Sequence, residues 1–268
     1  MTTRNVRGRT VAILQARTTS RRLPGKVLLP VEGKPMLVRQ LERVCRAESL
    51  DEVVVATSTE STDDDIGEVA DALGIRVVRG PLDDVLARYV LAMDMTDAEV
   101  AVRITADCPL VSPSVIDQVV GTFHFSDFDY VSNTLTPTYP DGLDVEVTTA
   151  QVLRRVSQLS DDEAEREHVT LGVYRRSEEF ALGNFVDPSG FDWSTLRWTV
   201  DEPEDLEFVR SIYAHLYPVN PAFDYRDVID LLKENPQLHR TVQDAPRNAA
   251  LEGLNTGAMK HHNRAETT

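Results

Sequence analysis

Short apolar runs separated by helix-length amphipathic segments constrain this chain more than any other feature. Residues 10–16 (TVAILQA) read as a buried strand. Residues 34–47 place Met36, Leu37, Leu41 and Val44 at helical spacing. A second strand follows at 52–57 (EVVVAT), and a helix at 63–73 stops at Gly74, a residue suited to a helix C-terminus. The order continues with a strand at 75–78, a helix at 83–93, a strand at 99–105, a helix at 113–122 capped by Ser112, and a strand opening at 129–132. Strands alternating with helices at this spacing predict an α/β fold with a mostly parallel sheet.

The pattern loosens from residue 133. Residues 133–142, with Pro137, Pro140 and Gly142, read as a loop, and 143–148 (LDVEVT) as a strand with one polar face. Helices are expected at 151–158 and 163–175, strands at 180–186 and 196–200, and closing helices at 204–217 and 224–234. No internal repeat or Pro/Ser-rich linker interrupts residues 1–238, so they are expected to form one domain, with halves at about 10–132 and 133–238. Residues 239–268 lose periodicity and are expected to be a disordered tail. His261 and His262 in that tail read as solvated side chains, not as metal ligands.

Composition excludes several functions. With 41% hydrophobic residues over 268, the chain can bury a core without disulfide staples. The net charge of -16, from 28 basic and 44 acidic residues, repels phosphate backbones, so no nucleic-acid partner is expected. No apolar run approaches a membrane span, and the run at 11–14 is too short for a signal-peptide core. The expectation is a cytoplasmic protein with no membrane partner. Cys45 and Cys108 form no CxxC, so neither a disulfide framework nor a structural zinc is expected, and Cys45 reads as a core residue.

Against this acidic background, the segment after the first strand stands out. QARTTSRRLPGKVL (15–28) carries Arg17, Arg21, Arg22 and Lys26 within ten residues. A loop leaving the carboxyl end of a central parallel strand is where α/β sheets bind ligands. Arginine forks and a lysine there suit a phosphate chain. The loop is not a Walker A sequence, because Gly25-Lys26 is followed by Val27, and there is no GxGxxG. Two acids complete the pattern. Asp107 follows the strand ending in RIT, and Asp201 follows an apolar stretch ahead of Pro203. Carboxylates at two strand ends facing a polyphosphate make a pair suited to Mg2+, a hard cation that takes oxygen ligands. Taken singly, each could equally cap the helix behind it. The acidic triplet Asp63, Asp64 and Asp65 sits at a helix start, where compensation of the helix dipole accounts for it.

QAR-x-x-S-x-RLPGK, DDVLARY (83–89), RITADCPL (103–110), PDGLDVEV (140–147), REHVT (166–170) and WTVDEPEDL (198–206) occur in order over about residues 11–217. Together they resemble the cytidylyltransferases that make CMP-sugars, in the branch named for spore-coat polysaccharide biosynthesis. CMP-Kdo and CMP-sialic acid synthetases are more distant relatives. The resemblance implies a three-layer, nucleotide-diphospho-sugar-transferase-like (Rossmann-like) sheet and Mg2+-dependent transfer of CMP from CTP to a sugar hydroxyl, with release of pyrophosphate. It implies catalytic roles for Lys26 and Arg17 in gripping the triphosphate. Ala16, Ser20, Arg22, Thr57, Ser58, Thr105 and Ala106 would line the nucleotide site, and Asp107 and Asp201 would hold the metal. It also implies a homodimer. The sequence departs from the family at Thr18 and Thr19, where the second position is often Gly, and at Trp198, where a smaller apolar residue is usual.

The acceptor side is expected from the second half. Asp141, Asp144 and Glu146 form an alternating acidic group suited to sugar hydroxyls, and Asp144 and Glu146, two residues apart, share one strand face. That face could instead pair with arginines of a second copy. Glu167 and His168 lie beside the group, and Trp198 is expected in the acceptor pocket. Arg166 or Arg175 would meet the carboxylate of a 2-keto acid acceptor. Three other functions compete: a nucleotidyltransferase of the same fold using another NTP, a glycosyltransferase with one acidic metal motif, and a non-catalytic nucleotide-binding protein.

Overall fold

Val11, Ala12, Ile13 and Leu14 are all fully buried, so the first strand, β1 (Thr10–Gln15), is covered on both faces. The computed structural model describes residues 8–242. Beyond β1 the cationic loop ends in a 3-10 turn at Lys26–Leu28, then a small ribbon of β2 (Pro30–Val31) and β3 (Lys34–Pro35). The alternation then runs α1 (Met36–Val44), β4 (Glu52–Ser58), α2 (Asp64–Asp71), β5 (Arg76–Gly80), α3 (Val85–Thr96), β6 (Val100–Thr105) and α4 (Pro113–His124). It closes with β7 (Tyr130–Ser132), β8 (Glu146–Thr149), α5 (Ala150–Leu159), α6 (Glu163–Glu167), α7 (Leu171–Tyr174), β9 (Leu182–Asn184), α8 (Pro203–Leu216) and α9 (Tyr225–Glu234).

Seven strands form one sheet in the order β5-β4-β1-β6-β8-β7-β9. Pairing is parallel from β5 through β4 and β1 to β6, β8 is antiparallel to both its neighbours, and β9 runs parallel to β7. The mostly parallel α/β sheet read from the alternation is therefore what forms. Ala12 and Leu14 face a core shared with α1, α4, α8 and α9, while Val11 and Ile13 face a second core with α3 and α5. The chain leaves β1 for β4 on one side and reaches β6 on the other. The carboxyl end of β1 is thus the switch point where such sheets open a ligand crevice.

Where structure and pattern differ, backbone hydrogen bonds explain the difference. The strand expected at 143–148 is regular only at Glu146–Thr149, because the Asn133 side chain binds the backbone ahead of it: its Nδ2 donates to Leu143 O and its Oδ1 accepts from Val145 N. The helix expected at 163–175 breaks between α6 and α7 at Val169, whose φ is +35°. No strand forms at 196–200, since successive N–H groups serve different segments: Arg197 N donates to Arg240 O, Trp198 N to Asp141 O and Val200 N to Asp107 O. Cys45 is not a core residue. It is the exposed C-cap of α1, one position past the helix's buried face. Of the expected tail, Arg240 and Thr241 are tied back, Thr241 by a bridge to Leu196. Residues 243–268, His261 and His262 included, lie outside the described residues.

Candidate active site

Gly25 takes φ +68° and donates its N–H to Thr18 O, which folds the loop back so that Lys26 turns inward. The loop has a second anchor in Asp63, whose carboxylate accepts from Thr18 N at 2.8 Å, Thr18 Oγ1 at 2.7 Å and Ser58 Oγ at 2.5 Å. Burial pushes the Asp63 pKa up, but these hydrogen bonds outweigh it and leave the carboxyl below its ordinary value. Asp63 is thus a buried brace between β4 and the loop, and not the helix-dipole residue that the sequence suggested.

Lys26 is the centre of the site. Its Nζ donates to Val200 O at 2.7 Å and Asp201 Oδ1 at 3.0 Å, and lies 3.4 Å from Asp107 Oδ2. Burial alone would lower its pKa, but Asp107 and Asp201 more than offset that, so the net shift is upward and the ammonium stays charged. Asp107 is oriented by Thr105, whose Oγ1 donates at 2.5 Å, and it too is held below its ordinary pKa, with Lys26 and Thr105 overcoming burial. Asp201 accepts from Arg197 at 2.8 Å and pairs with Arg22 at 2.9 Å. The fully buried Arg197 also meets Asp141 and Asp205, and Asp205 in turn accepts from the Asp201 backbone N–H and from Arg240. The structure therefore brings Lys26, Asp107, Asp201 and Arg22 together at the carboxyl edge of the sheet. Arg17 stands apart from them, exposed and paired with Glu167 at 3.0 Å.

Other expected residues have different surroundings. Ser20 accepts from Leu23 N inside the loop. Ala16 and Ala106 are buried at the ends of β1 and β6. Thr57 and Ser58 are fully enclosed, and Ser58 serves the Asp63 brace. Glu146 does not present its carboxylate to an acceptor. It is buried and bonded to Arg103, Tyr130 and Thr170, all of this chain, so it does not reach for a second copy either. Asp141 is likewise buried, on Arg197. Trp198 is sealed in the core, fully buried, and not in a pocket wall. Glu167 is exposed and His168 half-buried, with burial lowering the His168 pKa so that the ring is neutral at pH 7. Arg166 is paired with Asp84 and Arg175 with Glu165. Asp144 is half-buried, near enough to Cys108 to raise its pKa beyond the effect of burial and of Asp107.

Comparison with known proteins decides the family, because the family model described as cytidylyltransferase matches residues 11–217. The chain belongs to the cytidylyltransferase family. This cytidylyltransferase is 32% identical over 232 residues to the spore coat polysaccharide biosynthesis protein SpsF of Bacillus subtilis, covering 84% of the chain and 94% of SpsF. It superposes on a solved cytidylyltransferase of Leptospira borgpetersenii with a TM-score of 0.82, at 31% identity over 86% of this chain and 96% of that one. The fold alone is shared with the CMP:2-keto-3-deoxy-manno-octonic acid synthetase solved with CTP, at a TM-score of 0.60 and 21% identity over 76% of this chain and 98% of that one.

Sequence reasoning missed two residues that organise this cytidylyltransferase. Arg197 is hidden because RWTV reads as an ordinary strand, although an arginine amid apolar neighbours four residues ahead of Asp201 is a usable signal. Arg103 is hidden for the same reason in RIT, yet it carries the buried pair to Glu146 and donates to Gln15. No helix among the described residues is long and apolar enough to cross a membrane.

Proposed function

We propose that the enzyme transfers CMP from CTP to a hydroxyl of an acidic 2-keto sugar and releases pyrophosphate. The observation that carries this is the Lys26 ammonium held between Asp107 and Asp201 at the end of the phosphate-type loop. In this reading the acceptor oxygen forms a bond to the α-phosphorus and loses its proton to solvent, and the bond from that phosphorus to the bridging oxygen of the pyrophosphate breaks. Negative charge grows on the phosphate oxygens, and positioned cations stabilise it without a covalent intermediate. Lys26 acts as such a cation and not as a base, since its raised pKa keeps the proton in place. Arg17 and Arg22 exchange their carboxylate partners for phosphate oxygens, and Ser20, Ala16, Thr57, Ser58, Thr105 and Ala106 shape the loop floor around the nucleotide.

Asp107 and Asp201 fit a divalent cation, taken as Mg2+: both offer hard oxygen donors, and both already converge on one positive charge. No group of three or more His, Cys, Asp or Glu side chains among the described residues could hold a metal alone, so nucleotide phosphates and water would complete the set. When bound, the ion would neutralise phosphate charge and lower the pKa of the acceptor hydroxyl. Asp144, Glu167 and His168 are the acceptor-side groups left closest to exposure. The acidic 2-keto sugar is drawn from the synthetase of shared fold. A homodimer, a cytoplasmic location, and one domain with its nucleotide half at about 10–132 complete the reading.

Pyrophosphate release with CTP, UTP, GTP and ATP against a panel of acidic and neutral sugars tests the proposal. Release with CTP and an acidic keto sugar is expected. Release with another NTP alone, or only with neutral sugars, would overturn the nucleotide or the acceptor part.

A further inference from the structure

Arg88, in the DDVLARY run, lies in α3 and is 1% exposed. Its Nε and Nη1 have no hydrogen-bond partner among the described residues. Two acids are close enough to act on it electrostatically, Asp63 and Asp84, yet both are engaged elsewhere. Asp63 braces Thr18 and Ser58, and Asp84 caps α3 at Ala87 N and pairs with Arg166 at 2.8 Å. The site's other cations differ: Arg17, Arg22 and Lys26 each sit on a carboxylate. The Arg88 guanidinium is buried and has no such ion pair among the described residues.

Its place is specific. The Arg88 stem packs over Gly80 at the end of β5, where a Cβ would stand 2.7 Å from Arg88 Cγ, so any other residue at 80 would displace it. Gly80 is the register partner of Ser58 on β4, and Ser58 and Thr18 share Asp63. Arg88 also feels Arg17. It therefore lies below the start of the cationic loop, at the β4–β5 side of the cleft, with Lys26 on the β6 side.

A buried cation with two unsatisfied nitrogens weakens a free protein, and the same desolvated, fixed fork is a strong receptor for an anion. Guanidinium geometry matches phosphate and carboxylate. We propose that Arg88 is an oxyanion-binding residue in the floor of the active-site cleft, completed by an anionic group of a bound substrate. Its low exposure means that neighbouring groups shift to admit the anion. The inference rests on the cytidylyl-transfer reading for its two candidate anions, the outer phosphates of the NTP and the carboxylate of the acceptor.

The test compares the full chain with Arg88→Gln and Arg88→Lys, by calorimetric titration with pyrophosphate, CTP, CMP and 2-keto-3-deoxy-manno-octonic acid, and by thermal unfolding. Without ligand, Arg88→Gln is expected to melt no lower than the native chain. It should lose about tenfold or more in affinity for one anion class, with Arg88→Lys retaining part of it. Weaker pyrophosphate and CTP with unchanged CMP assigns the outer phosphates; a weaker keto acid with unchanged CTP assigns the acceptor carboxylate. Affinities that Arg88→Gln leaves unchanged, or probes that the native chain does not bind, overturn the proposal. A lowered melting point with unchanged affinities overturns it too, as the mark of a packing role. If Arg88-dependent pyrophosphate binding persists in a chain that turns over no CTP, the anion site stands and the transfer reading falls; turnover with Arg88-independent binding is the converse.

Discussion

At the level of single residues the proposed chemistry turns on Lys26. Removing its ammonium takes from Asp107 its cationic partner and leaves Asp201 to Arg22 and Arg197, and in the proposed reaction it takes a cation from the transferring phosphate. Lys26→Ala should cut kcat/KM for CTP by about 10²- to 10³-fold while the protein still unfolds cooperatively; near-native turnover would remove Lys26 from the chemistry. Asp107→Asn and Asp201→Asn should each shift the Mg2+ activation curve to higher concentration, read by titrating the metal at fixed CTP, and Asp201→Asn should also loosen Arg22 and Arg197. The convergence of Lys26, Asp107 and Asp201 was legible because charge contrast and, for Asp107, position at the end of β6 are local signals; the strand expected ahead of Asp201 does not form. Trp198 and Glu146 could not. Their side chains are consumed by the core and by Arg103, contacts that come from strands distant in the chain.

At the scale of elements, the loop after β1 is held by one buried carboxylate. Asp63→Ala leaves Thr18 and Ser58 donors unsatisfied, which should cost about 1–3 kcal/mol in denaturant unfolding. It should also raise KM for CTP more than for the acceptor; equal effects on both would mean that the brace does not act through the loop. The main strands and helices of the first half were legible to within about three residues, because buried strands and amphipathic helices alternate there with clear caps, such as Ser112 accepting from Val115 N; the short β2–β3 ribbon was not, and it takes Lys34 and Pro35 from the expected helix. The second half was not. Asn133 and Arg240 take backbone groups that periodicity assigns to ladders, and Val169 breaks a helix that spacing alone would continue.

Across the whole molecule, buried carboxylates set the acid limit of stability. In Asp63 and Asp205 burial raises the pKa, but hydrogen bonds from Thr18 and Ser58, and from Asp201 N, Arg240 and Arg197, win and depress it below 3.8. A depressed folded value contributes stability that is complete above the unfolded pKa and is lost as pH falls through the folded one. Urea midpoints should therefore hold down to about pH 4 and drop below it. Asp63→Asn and Asp205→Asn should flatten that drop. Ending the chain after Leu238, where composition placed the domain edge, removes Arg240 from the nearly enclosed Asp205 and should cost about 1–3 kcal/mol, with an effect on Asp201 through its shared contacts.

The ammonium that bridges the two aspartates also bears on the order of addition. A carboxylate pair already occupied by a lysine, with Arg22 and Arg197 also on Asp201, is a poor landing place for a free dication, and an incoming polyphosphate can draw that lysine away. Initial-rate kinetics should then treat the metal–nucleotide complex as the entering reactant. Catalytic flux would follow the supply of complexed nucleotide, and uncomplexed magnesium would find the empty enzyme closed to it.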